Sequence, residues 1–125
     1  MSTLTVTNIK ATGETASRAV SGVAAAWAVS QNNSSTFALN DSTNIASVTD
    51  EADGQTTFNL TNNMGSSNYS VCYGTGGSST QRDRIHVERQ DIRAAGSYRL
   101  DAFDIGSAST VGVNGQHSAI FGDLA

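Results

Sequence analysis

The sequence contains no proline and a single cysteine, and charged side chains make up only 14% of its 125 residues. Each shortage excludes something. The lone Cys72 rules out an intrachain disulfide. Its neighbours in NYSVCYG alternate like a strand, so it reads as a small buried hydrophobe. So few charges cannot solvate a long helix. Aromatic residues are 6% of the chain, with one Trp, three Tyr and four Phe as large anchors. Much of the remaining apolar content is Ala and Val, which bury little area each. A core this thin suggests association with further copies. No apolar run approaches the ~18 residues of a membrane-spanning helix. The N-terminal MSTLTVTNIK has no apolar stretch of signal-peptide length, so the expected place of synthesis is the cytoplasm without export. The pI near 4.8 argues against nucleic acid, which requires a basic surface. Nothing in the pattern accounts for the missing proline.

What is present is small and uncharged-polar. Ser, Asn and Gly favour turns, Thr favours strands, and none of them builds strong helices. The net charge of −4 is too small to hold the chain open as a disordered polymer. The apolar residues also come in short alternating runs. Ile45 to Thr49, a turn through Asp50 to Gly54, and Gln55 to Leu60 read as a hairpin, with Gly54 supplying a positive φ. Tyr69 to Gly74, Arg84 to Glu88, Ser97 to Asp104 and His117 to Gly122 read as further strands. In Ser97 to Asp104, Tyr98, Leu100 and Ala102 alternate against Arg99, Asp101 and Phe103. Residues 15–28 fit either a helix, with Ala16, Val20, Val23 and Trp27 as its stripe, or a strand from Val23 that carries Trp27 inward. The expected fold is all-β: one antiparallel β-sandwich, jelly-roll-like or barrel-like, over residues 21–125. Residues 1–20 lack sustained alternation and read as an extended N-terminal arm. In that arm Leu4, Val6 and Ile9 are the apolar candidates for attachment to a partner.

No pattern of catalytic or cofactor-binding residues emerges. YGTGGSST has glycines but neither the Lys nor the following helix of a phosphate loop. Two histidines and one cysteine do not make a zinc set. His86 falls on the face of its strand opposite Ile85 and Val87 and reads as a solvent-facing or interface residue. His117 reads as a turn residue. The loop Asp50-Glu51-Ala52-Asp53-Gly54 lacks the ligand spacing of a calcium loop and reads as an acidic hairpin turn. Asp101 and Asp104 are an odd number apart and cannot share a strand face as a carboxylate pair. The sequons at Asn59 and Asn68 read as accidents of composition. Five of the seven basic residues, Arg82, Arg84, Arg89, Arg93 and Arg99, fall within one short segment, interleaved with Asp83, Glu88 and Asp91. That mixture reads first as a salt-bridged face or subunit contact. A sharper alternative is that Arg82, Arg84, Arg89 and Arg93 meet anionic groups of a bacterial surface glycan.

In order along the chain stand MSTLTV, GVAAAWAVS, ALNDSTNIASVTDEADGQTTFNLTNNM, SSNYSV and HSAIFG. This ordered set resembles small phage tail-fibre or virion-appendage proteins, a group that includes head-fibre and decoration proteins. It departs from them at residues 74–96. The resemblance implies a strand at 23–30 and a β-rich, typically trimeric, non-enzymatic module carried on the virion. Such a module would contact other virion proteins through its arm, bind no cofactor, insert in no membrane, and be displayed towards the host surface. Trp27, Phe103 and Ile120 are then candidates for the trimer axis or its flanking core. The alternatives are a capsid decoration protein and a free carbohydrate-binding module.

Overall fold

The computed structural model describes residues 8–9, 18–19, 24–77, 81 and 83–125. Ten strands follow in chain order: β1 (Asn8–Ile9), β2 (Arg18–Ala19), β3 (Ala26–Asn33), β4 (Thr36–Thr43), β5 (Ile45–Ala52), β6 (Gln55–Leu60), β7 (Ser70–Gly76), β8 (Arg84–Glu88), β9 (Ser97–Asp104) and β10 (Val113–Phe121). A single 3₁₀ turn, Gln90–Ile92, lies between β8 and β9. β1 and β2 pair with each other in a two-stranded sheet that shares no strand with the rest. The other eight form two antiparallel sheets, ordered β4-β3-β10-β7 and β5-β6-β9-β8. They pack face to face as a β-sandwich, as the alternation predicts.

The hairpin read from the sequence is β5–β6. At its turn Gly54 holds φ +76°, a region open to glycine and strained for other residues. Gly54 is also buried, and a Cβ there would lie 2.1 Å from the Val111 carbonyl oxygen. Position 54 therefore needs glycine twice over, for conformation and for space.

The core lies between the sheets. Phe58 on β6 and Tyr98 on β9 stack with ring centroids 4.9 Å apart, and Leu60, Leu100, Ile120, Met64 and Tyr69 pack around them. The facing strand β3 contributes Ala26 and Ala28, because the aromatic pair already fills the space opposite. This arrangement overturns the inward Trp27 of the sequence reading: Trp27 alternates with those alanines and stands on the outer face of its sheet. Cys72, expected to be buried, is exposed. It pairs with Ala119 of β10, whose side chain also turns outward.

One end of the interior is polar. Asn32 is 1% exposed, and its amide nitrogen lies 3.0–3.1 Å from Asp50 Oδ1, the Ala52 and Gln55 carbonyls and Thr56 Oγ1. Its carbonyl oxygen accepts from Gly54 N–H at 3.2 Å. The Gln116 amide donates to the Gly54 carbonyl at 3.1 Å. Buried amides persist where such partners are present. Together these bonds tie the β5–β6 turn to strands of the other sheet.

Candidate functional site

The segment that concentrates the arginines folds as β8, the 3₁₀ turn and β9. Strand pairing decides which way each side chain points. His86 stands opposite Ala102, and Glu88 opposite Leu100, both inward positions of β9. Ile85 stands opposite Phe103 and Val87 opposite Asp101. The alternation expected for Arg84 to Glu88 is present, but its polarity is the reverse of a simple apolar-in strand. Ile85 and Val87 face out at 45% and 38% exposure, and His86, read as solvent-facing or interfacial, is 6% exposed. The small Ala102 leaves room for the imidazole. His86 Nδ1 lies 3.1 Å from the Gly74 carbonyl and 3.0 Å from Thr75 Oγ1 on β7. Burial pushes its pKa down to about 4, against the Gly74 hydrogen bond and with a small push from His117.

The arginines are paired within the chain. Arg89 spans Asp91 at 2.7 Å and Asp101 at 3.3 Å. Arg99 donates from Nε to Asp101 at 2.7 Å and from its guanidinium to Gln55. Arg84 pairs with Asp104 and has Asp83 at 3.6 Å. Arg93 faces Glu88 at 3.5 Å, donates to the Tyr69 carbonyl at 2.9 Å, and lies over the Tyr69 ring. The hydrogen bonds from Arg89 hold the Asp91 carboxyl below its ordinary range. Backbone N–H groups of Ser107 and Gly106 do the same for Asp104. Burial raises Glu88, with Arg93 opposing. Burial also lifts the Tyr69 phenol to about 12. Arg82 lies outside the described residues.

The interleaved acids Asp83, Glu88 and Asp91 are thus partners of Arg84, Arg93 and Arg89. The sequence reading missed Asp101 and Asp104 in this role. Asp101 lies on the outer side of β9 yet is 1% exposed, because Arg89 and Arg99 cover it. Its spacing to Arg99, two residues along one strand, is the signal that places both on one face.

Beside this network lies an apolar surface. Ile85, Val87, Phe103, Ile105 and Ala108 line an open groove of about 420 Å³, and Ile105 is 62% exposed. A second, shallower concavity of about 330 Å³ lies on the outer face of the other sheet, over Trp27, Val29, Cys72, His117 and Ala119. Trp27 and Phe103 therefore lie on opposite outer faces. Ile120 is fully buried between the sheets of its own chain. Leu4 and Val6 lie outside the described residues, and Ile9 is placed only as a member of β1. Among the described residues no three His, Cys, Asp or Glu side chains converge as a metal set, and no helix is long and apolar enough to cross a membrane.

A scan against protein-family models, a search of curated proteins and a search of solved structures each return no match to this chain.

Proposed function

We propose that this chain is a non-enzymatic structural module of a phage virion, a homo-oligomeric appendage that builds the particle surface through protein–protein contacts. One observation carries the reading most: the groove formed by Ile85, Val87, Phe103 and Ile105, an exposed apolar surface beside a strand edge. Contiguous apolar surface of this kind favours a protein partner. The ordered motifs from GVAAAWAVS to HSAIFG supply the virion context. The trimer implied by the same resemblance, with the arm as its attachment to other virion proteins, belongs to this proposal. Purified particles labelled with an antibody against the chain and viewed in negative stain test it. Label on fibres projecting from the tail or capsid is the expected result. Label spread evenly over the shell would favour a decoration protein, and unlabelled particles would overturn the virion reading.

A glycan-binding role for the arginine cluster is the weaker reading. Arg84, Arg89, Arg93 and Arg99 each have carboxylate partners in their own chain. An anionic sugar would have to displace those partners.

A further inference from the structure

Three of the five side chains of β8 carry a buried polar atom without a hydrogen-bond partner among the described residues: Arg84 Nε, His86 Nε2 and Glu88 Oε1. They are alternate residues of one edge strand, since β8 ends its sheet. The backbone of the same three residues is directed away from β9, where it has no backbone partner among the described residues. Arg89 donates its N–H to the Arg99 carbonyl at 3.0 Å, and Ile105 donates to the Asp83 carbonyl at 2.9 Å. In an antiparallel ladder the bonded residues alternate, so Ile85 and Val87 turn their N–H and C=O groups towards β9. Arg84, His86 and Glu88 turn theirs away from it.

Edge strands in monomeric proteins are commonly blunted by bulges, charge or irregular pairing. The edges on the other side of this sandwich follow that rule. β4 is paired through a register shift at Val29/Ser30, and β5 through shifts at Ile45/Ser47 and Asp50/Ala52. Acidic residues stand on both, at Asp41, Asp50 and Glu51. The β8–β9 ladder runs without a shift from Arg84 to Glu88. Its two charged residues, Arg84 and Glu88, are of opposite sign and stand at its two ends.

The sequence of β8 is also its own complement. Read antiparallel against a second copy, Arg-Ile-His-Val-Glu sets Arg84 opposite Glu88, Ile85 opposite Val87, and His86 opposite itself. We propose that a second copy of this chain pairs with β8 across a two-fold axis at His86, joining two four-stranded sheets into one continuous sheet. Arg84, His86 and Glu88 then each donate and accept one main-chain hydrogen bond across the seam. Opposite charges stand at both ends of it: Arg84 stands across from Glu88 of the other copy, each keeping the ion pairs of its own chain, Arg84 with Asp83 and Asp104 and Glu88 with Arg93. The outward Ile85 lies beside the outward Val87 of the other copy, so the two apolar grooves merge across the junction. Such a contact is isologous and closes on itself. It rests on the homo-oligomeric part of the reading above and is independent of the virion: failure of particle labelling leaves it standing, and its own failure leaves the virion reading standing.

The register makes a specific test. With His86 at the axis, Ile85 and Val87 of the other copy form a non-hydrogen-bonded pair with Cα atoms ~4.5 Å apart, within disulfide reach. Ile85 lies diagonal to its own copy at about 7–8 Å, beyond that reach. Both positions are exposed, so cysteine is tolerated there. In a Cys72→Ser background, Ile85→Cys and Val87→Cys chains are prepared separately, then mixed and oxidised. The expected result is a disulfide-linked dimer on a non-reducing gel from the mixture, and monomer from either variant alone. Equal crosslinking by the separate variants would mean a different register or random collision and would overturn the proposal, as would no crosslink in the mixture. Sedimentation equilibrium of the unmodified chain gives a second readout. An even multiple of the 12.9 kDa subunit is expected, a dimer or, with a three-fold contact elsewhere, a hexamer. Monomer or trimer mass overturns the pairing.

Discussion

Asn32 and His86 show how much a single buried polar side chain can control here. The Asn32 amide satisfies two elements of the opposite sheet at once, the end of β5 and the start of β6. Asn32→Ala removes those bonds and leaves the buried Gly54 N–H without its acceptor, a loss of about 2–3 kcal/mol at the upper end for one buried group. A urea titration should show a lower midpoint with unchanged slope. Asn32→Asp should be worse, since it sets a carboxylate against Asp50. His86 works through protons. Its folded pKa, about 4, is below its ordinary 6.5, so between those values the unfolded chain binds more protons than the folded one. Stability from this group is fully present above pH 6.5 and drains away as pH falls towards 4, by a total on the order of 3 kcal/mol. Melting temperatures taken from pH 7 to pH 4 should fall in that window, and His86→Gln should flatten the slope. A slope unchanged by His86→Gln would assign the loss to other groups.

At the scale of elements, the strand pattern was readable and its direction was not. Alternation of apolar and polar residues marked β5, β6, β8, β9 and β10, and Asp50 to Gly54 marked the turn. The period of a strand says which residues share a face and is silent on which face goes in. For β9 the choice was clear, because Tyr98 and Leu100 oppose Arg99 and Asp101. For β8 and β3 it was misleading: the inward positions hold His86 and Glu88, or Ala26 and Ala28, while Ile85, Val87 and Trp27 turn outward. The partner strand settles this, through Ala102 making room for His86 and the Phe58–Tyr98 stack leaving space only for alanine. The salt bridges were half legible. Asp83, Glu88 and Asp91 stand in the same segment as the arginines, whereas Asp101 and Asp104 reach them only through the β8–β9 register. The turn allows a direct contrast between two glycines. Gly54→Ala meets both a left-handed φ and the Val111 carbonyl, and should cost more than the ~1–2 kcal/mol of the conformation alone. Gly74→Ala meets no atom within 4 Å and should be close to neutral. Urea midpoints of the two variants measure the difference.

For the molecule as a whole, the core and the residues packed on it run, among the described residues, from Ala25 to Ile120, and β1 and β2 of the proposed arm form a two-stranded sheet of their own. Deleting residues 2–18 should therefore leave the far-UV β spectrum and thermal transition intact and, under the proposed attachment role of the arm, abolish incorporation into particles. Loss of the cooperative transition would place those residues in the fold and overturn the assignment. The buried amides at one end of the interior carry a further consequence. An antiparallel sheet can go wrong by sliding. A slide of one residue turns every core side chain to the outside and is heavily penalised. A slide of two keeps the same face inward, and for β3, whose inward residues beside Asn32 are Ala26, Ala28 and Ser30, side-chain bulk alone would oppose it little. Asn32 and Gln116 remove that freedom. Moved by two positions, each leaves its acceptors on the β5–β6 turn and is stranded without a partner, while the turn loses the groups that hold it. The polar end works as an index mark for strand alignment, and a strand with so little bulk on its inward face needs one.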